Sequence, residues 1–152
     1  MEKIAVHPQP LWRDRADFMI RAPLDDGGWE QIAARKISES SFEVCCIPFF
    51  ADDLSLGDIV ETEARLDARY VIRSVVQPSG HCTFRAWFGD SPHPQRARAD
   101  LMDFVTVSGC AFEQSSEHML AIDAPPREEQ ALADELQRRE QAGELIYATG
   151  RR

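Results

Sequence analysis

The sequence predicts an α+β protein in which a β-rich N-terminal segment, barrel-like or a curved sheet, merges with a C-terminal ferredoxin-like (βαββαβ) unit. The first observation is the order of patterns after residue 80, which is strand, helix, strand, strand, helix, strand. In that order, two helices cover one face of a four-stranded antiparallel sheet. The second observation is that the preceding residues hold strand-like and turn-like patterns. We therefore divide the chain into residues 1–77 and 78–152, and expect one compact unit.

Hydrophobic spacing predicts the elements of the C-terminal unit one by one. The predicted strands are Cys82–Phe88, Ala111–Gln114, Met119–Asp123 and Leu145–Tyr147, and the predicted helices are Ala97–Val107 and Glu128–Ala142. The first helix carries an apolar stripe wide enough to cover a sheet. Gly109 and Gly143 are expected to end the two helices. The charged face of the second helix favours i,i+4 ion pairs such as Glu135 with Arg139.

The N-terminal part is predicted to be built from short strands. These are Ala16–Ala22, Phe42–Ile47 and Val71–Gln77, and within Leu54–Glu61 a Gly-Asp turn is predicted to lead into a further strand. The composition of Trp29–Ile37 fits either a helix or a strand, and we favour a strand because Ile32 and Ala34 alternate with polar neighbours. Arg65–Tyr70 is predicted to be a polar connection.

A hairpin is predicted where the two parts meet. Pro78–His81 contains the glycine that a short hairpin loop requires. It would pair the strand Val71–Gln77 with the strand Cys82–Phe88, so that the two parts share a continuous sheet.

This hairpin also gathers the candidate ligand-binding residues. It places Arg73 and Arg85 on neighbouring strands and His81 at the mouth of the turn. Two guanidinium groups match a carboxylate or phosphate in bidentate geometry, and an imidazole can add acid or base chemistry. In the alternative interpretation, both arginines pair with local acids and His81 only decorates a turn. The protonation of His81 at neutral pH stays open, and no catalytic residue is predicted because no nucleophile lies nearby.

The sequence favours neither a metal site nor a cofactor. The four histidines, at positions 7, 81, 93 and 118, lack the HxH, HxxxH and HExxH spacings that place two ligands on one element. Glycine-rich phosphate loops and the GxSxG elbow are also absent from the sequence. The four cysteines form no CxxC pair, so we expect buried thiols in a reducing cytoplasm.

Charge and hydropathy limit the classes of partner. The formal net charge of −9 and the pI near 4.9 argue against nucleic acid and anionic membranes as main partners. Phe84–Phe88 holds three aromatic residues and an arginine, as an RNA-recognition strand would, but one of its faces must lie under the helices. No stretch reaches the roughly 20 apolar residues of a membrane span, and the N-terminus lacks the apolar core of a signal peptide.

Three motifs carry a resemblance to a known family. They are Phe42–Phe50 (FEVCCIPFF), Leu56–Val60 (LGDIV) and Ser79–Arg85 (SGHCTFR), in this order. Together they resemble an uncharacterised bacterial family, domain of unknown function 4265, over roughly residues 12–150. The resemblance implies a stand-alone bacterial protein and no activity, cofactor or catalytic residue.

Two functions follow as expectations. The first is a non-catalytic binding or accessory module that acts through a protein partner, an immunity- or antitoxin-like protein being one case. It rests on the lack of an assembled catalytic set in an acidic chain, since acidity suits a basic partner. The alternative is a small-molecule-binding protein or enzyme, with an anion site of Arg73, His81 and Arg85 at the junction of the two parts. The sequence leaves the oligomeric state open, a homodimer included.

Overall fold

The chain folds as a mixed α+β protein, as the sequence predicts. A computed structural model describes residues 3–65 and 68–150, and these form ten strands in two sheets with two helices. The strands are β1 (Ile4–Ala5), β2 (Phe18–Pro23), β3 (Trp29–Lys36), β4 (Ser41–Val44), β5 (Ile59–Arg65), β6 (Ala68–Gln77), β7 (Cys82–Trp87), β8 (Ala111–Ser116), β9 (Met119–Ala124) and β10 (Ile146–Thr149). The helices are α1 (Pro94–Val107) and α2 (Glu129–Gln141).

The first sheet has six strands in the order β1-β3-β2-β6-β5-β4, and β3 also pairs with β4. The extra pairing makes β2, β3, β4, β5 and β6 a closed circuit, with β1 attached in parallel to the start of β3. The interior is apolar and includes Ile20, Ile32, Phe42 and Val60, each with no exposed surface. The strand predicted at Trp29–Ile37 is confirmed as β3, because alternate side chains of this segment fill that interior.

The second sheet has the order β10-β7-β9-β8, and every neighbouring pair is antiparallel. One of its faces is covered by the two helices. Leu101 and Val105 of α1 and Leu132 and Leu136 of α2 lie in one core with the apolar side chains of β7, among them Phe84. Because the apolar stripes of the helices and the alternation of the strands were regular, all six predicted elements are found within a few residues of their predicted bounds.

The helix ends agree with the sequence. Gly109 and Gly143 follow α1 and α2 with φ of 84° and 78°, the left-handed conformation that glycine adopts without steric cost. Arg139 Nε lies 2.7 Å from Glu135 Oε2, so the expected i,i+4 ion pair forms. Neither helix is long and apolar enough to cross a bilayer, in the part of the chain that the structure describes.

The predicted hairpin between the two parts is wrong. β6 pairs with β5 and β2 in the first sheet, whereas β7 pairs with β9 and β10 in the second, so the sheet is not continuous. The connecting residues are held elsewhere, because Ser79 N–H donates to Asp58 Oδ1 at 2.8 Å and its hydroxyl donates to Leu56 O at 2.7 Å. These bonds tie the chain to the turn before β5 and direct it into the other sheet.

The predicted polar connection Arg65–Tyr70 is also largely strand. β5 runs to Arg65 and β6 begins at Ala68, while residues 66 and 67 lie outside the described residues. Tyr70 packs edge-on against Phe18 and Phe42, with ring centroids 4.7 and 5.7 Å apart. This aromatic contact places the start of β6 on the first sheet, which the polar composition of the segment had concealed.

Candidate functional site

The second sheet contacts the first part of the chain through the face that the helices leave uncovered. Two segments cover this face: the β4–β5 loop (residues 45–58) and the N-terminal arm (residues 3–11). We call this contact zone the junction. An apolar cluster of Ile47, Phe49, Met119 and Ala121 lies inside it. Polar side chains of β7, β8 and β9 surround that cluster, and each makes specific hydrogen bonds.

Two residues of β7 bind the β4–β5 loop. Thr83 donates its hydroxyl to Leu54 O at 3.2 Å. Arg85 Nη2 donates to Ala51 O at 2.6 Å, and Arg85 Nη1 lies 3.3 Å from Asp52 Oδ1. Because these bonds end on backbone carbonyls, they fix the path of the loop along the sheet.

The same loop wraps around a buried carboxylate. Glu30 lies on β3 with no exposed surface, and it accepts three successive backbone N–H groups, from Phe49, Phe50 and Ala51, at 2.6, 2.9 and 2.9 Å. Consecutive N–H groups that converge in this way form an anion-binding concavity. The anion site formed by the loop is therefore filled by the carboxylate of Glu30.

His7 of the N-terminal arm links this carboxylate to the second sheet. Its Nε2 lies 2.6 Å from Glu30 Oε2, and its Nδ1 lies 2.8 Å from Glu113 Oε1 of β8. The imidazole stacks on Phe49 with ring centroids 3.9 Å apart, and its side chain is almost fully buried. Glu113 also accepts the backbone N–H of Ile47. We call His7, Glu30 and Glu113 the buried triad.

The triad holds its histidine in the charged form. Burial by itself would lower the pKa of His7, but hydrogen bonds to Cys46, Glu113 and Glu30 outweigh it and raise the pKa to about 11. Burial also opposes the charge of Glu30, yet the bonds from His7 and Phe49 bring the pKa of that carboxyl below its usual range. An imidazolium between two carboxylates thus connects the two sheets.

No sequence pattern marks this triad as a unit. The sequence separates His7 from Glu30 by 23 residues and from Glu113 by 106 residues, so no spacing rule links them. The one available signal is the charge at Glu30, which interrupts a strand whose alternate positions are apolar. A charged residue at such a position predicts a buried partner without identifying it.

A second histidine–carboxylate pair lies where the connection from β6 enters β7. His81 Nδ1 lies 2.7 Å from Asp123 Oδ2, and the His81 side chain is 24% exposed. Burial raises the pKa of Asp123, although the bond to His81 acts in the opposite direction. Asp123 Oδ1 is buried and has no hydrogen-bond partner among the described residues. The carboxylate therefore orients the imidazole and turns Nε2 away from the pair.

The three residues predicted to bind an anion do not form one cluster. Arg73 lies exposed on β6 of the first sheet, near Glu61. Arg85 lies on β7 of the second sheet, and His81 directly precedes that strand. Arg85 hydrogen-bonds to the β4–β5 loop, and His81 hydrogen-bonds to Asp123. The failure of the predicted hairpin explains this separation, because it was the hairpin that brought Arg73 beside Arg85.

Arg85 is expected to contribute to stability much more than Arg73. Arg85→Ala removes the bond to Ala51 and the ion pair with Asp52, and we expect the free energy of unfolding to fall by about 2 kcal/mol. Arg73→Ala, an equal change in charge on an exposed strand face, should alter it by less than about 0.5 kcal/mol. Urea unfolding of both variants measures the difference, and equal effects would contradict the assigned role.

The largest cavity described is a groove of about 700 Å³ beside the junction. The first residues of the arm form one wall, and the β2–β3 loop and residues 50–53 form the others. We call it the acidic groove, because its lining includes Asp25, Asp26, Asp52 and Asp53 against a single Lys3. Arg85 lies 3.3 Å from Asp52 at the edge of this groove. The groove suits a cation rather than an anion.

No metal centre is found within residues 3–65 and 68–150, where no group of three or more His, Cys, Asp or Glu side chains has a ligating arrangement. The four cysteines are buried thiols. Burial raises the pKa of the Cys45 thiol to about 11 and that of Cys46 above its usual range. These thiols are therefore protonated and unreactive at neutral pH.

The fold and the junction define a mixed α+β protein of two sheets joined by a buried triad. The model of one family, Domain of unknown function (DUF4265), matches residues 30–147, and the chain belongs to this family. The resemblance found in the three motifs is thereby confirmed. No curated protein matches the chain.

A solved structure shares the fold. It is described as a novel crystal structure of a hypothetical protein from Neisseria gonorrhoeae, and it aligns with a TM-score of 0.70 over 87% of this chain and 94% of that chain. The sequences are 23% identical, a level at which the likeness concerns the fold alone.

The three motifs meet at the junction. Phe42–Phe50 leads into the loop around Glu30, Leu56–Val60 contains the Asp58 carboxylate that binds Ser79 N–H, and Ser79–Arg85 supplies bonds to the loop and to Asp123. The residues that carry the resemblance thus build the contact between the sheets. The acidic groove lies beside them.

Proposed function

We propose that this protein is a non-catalytic binding module that acts through a protein partner and takes a basic segment of that partner in the acidic groove. The observation that supports this most directly is the groove itself. It is the largest described cavity, it is open to solvent, and acids outnumber bases along its lining. The chain as a whole carries a net charge of −9, so the long-range field acts in the same direction.

Apolar surface beside the charges favours a polypeptide over a free metal or small cation. Ile4 and Phe50 line the groove and are 45% and 46% exposed. A site that combines exposed apolar side chains with charged neighbours is typical of protein interfaces. An immunity- or antitoxin-like protein with a basic partner is one case of this function.

The alternative function, an anion site at the junction, has weaker support. Arg73 lies on the other sheet from Arg85, and Arg85 uses Nη1 and Nη2 on Asp52 and Ala51. An anion would also approach the excess of aspartates in the acidic groove. His81 keeps a partly exposed imidazole beside Asp123, and this pair is the part of the alternative that the geometry favours.

Peptide binding tests the proposal. Fluorescence polarisation with a labelled nine-residue peptide of alternating lysine and valine should show binding, and the same peptide with glutamate in place of lysine should not bind. Asp25→Asn combined with Asp26→Asn should weaken the binding about tenfold, since each exposed charge pair contributes up to about 1 kcal/mol. High salt should weaken it as well.

The matched control places the same charge change elsewhere. Asp100→Asn combined with Asp103→Asn removes two exposed charges from α1, far from the groove in the fold. It should change the affinity by less than about twofold, because distant exposed charges are screened. If both double variants bind equally well, or if the acidic peptide binds as tightly as the basic one, the proposed site is wrong.

We also propose a finer assignment of the fold. The second sheet with its helices is a ferredoxin-like unit, supported by the antiparallel order β10-β7-β9-β8 and by the placement of both helices on one face. The first sheet is a small barrel, supported by the closed circuit from β2 to β6.

A further inference from the structure

Strand β1 offers an open edge to the solvent. It pairs in parallel with β3, in the register Ile4 with Trp29 and Ala5 with Glu30, and Trp29 N–H donates to Lys3 O at 2.8 Å. In a parallel ladder of this register, Lys3 and Ala5 direct their backbone groups to β3, and the residue between them directs its own groups away. The N–H and C=O of Ile4 therefore point outward from the sheet.

Other groups of the protein lie near the remaining end strands of the described sheets. At β10, Tyr147 N–H donates outward to Glu140 Oε2 at 3.0 Å. At β8, Pro8 and Gln9 of the N-terminal arm line the same cleft as Gln114 of the strand. Natural proteins protect edges in this way, because an exposed row of backbone groups is a template for another strand.

The open edge and the acidic groove coincide. Lys3, Ile4 and Ala5 form a wall of the groove, and the acidic β2–β3 loop faces them. A segment seated in the groove therefore lies within reach of the outward-pointing backbone groups of Ile4 as well as carboxylates. Side chains of an extended segment alternate between two faces, so basic residues and apolar residues at alternate positions would meet the aspartates and Phe50 separately.

We infer that the partner's basic segment binds as an extended strand that adds to β1, in the manner of β-augmentation. Backbone hydrogen bonds to Ile4 supply register, and the charges of the acidic groove select a basic sequence. This inference rests on the proposed function, since it specifies the conformation of the segment in the same groove. It excludes a helical segment, whose backbone groups are already paired.

Two changes to backbone donors test the inference without changing any charge. Ile4→Pro removes an N–H that points away from β3 and that makes no bond to residues 3–65 or 68–150, and proline is tolerated at an edge strand when its N–H side faces solvent. Ile4→Ala is its control, because it shortens the same side chain and keeps the N–H. On the peptide side, the lysine–valine peptide is compared with an analogue that is N-methylated at alternate residues.

We expect Ile4→Pro and the N-methylated peptide each to weaken binding about tenfold, and Ile4→Ala to weaken it by less than about threefold. The melting temperature of each variant shows whether the arm stays in place. If the N-methylated peptide binds wild-type protein as tightly as its parent, strand addition is wrong, while a charge-dependent affinity would still support the proposed function. If the unmodified basic peptide does not bind at all, both proposals fail.

Discussion

Replacing His7 with alanine is expected to lower the free energy of unfolding by about 3–5 kcal/mol, the cost of breaking a buried ion pair from one side. The imidazolium lies between Glu30 and Glu113, and all three side chains are almost completely shielded from water. Without His7, two carboxylates remain buried, and Glu30 keeps only the N–H groups of the β4–β5 loop. Urea unfolding at pH 7 measures the change.

Two further variants separate the triad from a simple loss of packing. His93→Ala removes an exposed imidazole that makes no side-chain capping bond, and it should change stability by less than about 0.5 kcal/mol. Glu113→Gln in the His7→Ala background should recover part of the loss, because it neutralises one of the stranded charges. If the two substitutions were additive, or if His7→Ala cost less than about 1 kcal/mol, the triad would not be the connection we describe.

The triad also explains what the N-terminal arm does. The arm has only a two-residue strand of its own, yet His7 connects β3 of the first sheet to β8 of the second. Its first residues line the acidic groove. The arm is therefore held rigidly at one point and presents its open edge a few residues away. Pre-organisation of this kind lowers the entropic cost of binding a segment there.

The C-terminal half could be predicted from the sequence because the hydrophobic pattern of each of its elements is contained within that element. The stripe that includes Leu101 and Val105 and the alternation of Phe84 and Ala86 each repeat within one element, and each fills the same core. The glycines at 109 and 143 mark the helix ends. Local periodicity of this kind determines both the element and the face that it buries.

The junction could not be predicted because the residues that bind one another there are far apart in the sequence. Nothing near Pro78–His81 shows that Ser79 binds Asp58, 21 residues earlier, and a tight hairpin was the simplest local solution. The same limit applies to His7, whose partners lie 23 and 106 residues away. The candidate residue Arg85 was identified from its alternation, but its partner Ala51 O is a backbone atom that no sequence pattern marks.

Alkaline pH is expected to destabilise the protein through the same histidine. The pKa of His7 is raised in the folded chain to about 11, against an ordinary value of 6.5 in the unfolded chain. A raised pKa means that the folded state holds its proton more tightly, so this stabilisation is fully present below pH 6.5. It is lost as the pH rises from 6.5 towards 11. Acidic pH removes the stabilisation that Glu30 supplies. The pKa of Glu30 is lowered in the folded chain, so this stabilisation is lost as the pH falls below about 4.5.

The slope of stability against pH identifies His7 as the cause. A single proton held by the folded state and released by the unfolded state changes the free energy of unfolding by about 1.4 kcal/mol per pH unit. Wild-type protein should therefore lose about 2–3 kcal/mol more than His7→Gln between pH 7 and pH 9 in urea unfolding. The buried thiols, whose pKa is raised in the folded chain, lower the stability of both proteins equally in this range. His7→Gln keeps a hydrogen-bonding side chain and cannot titrate, so it is the reference that carries the contribution of the thiols alone. Parallel curves for the two proteins would show that His7 is neutral when buried, and that hydrogen bonds without a charge hold the two sheets together.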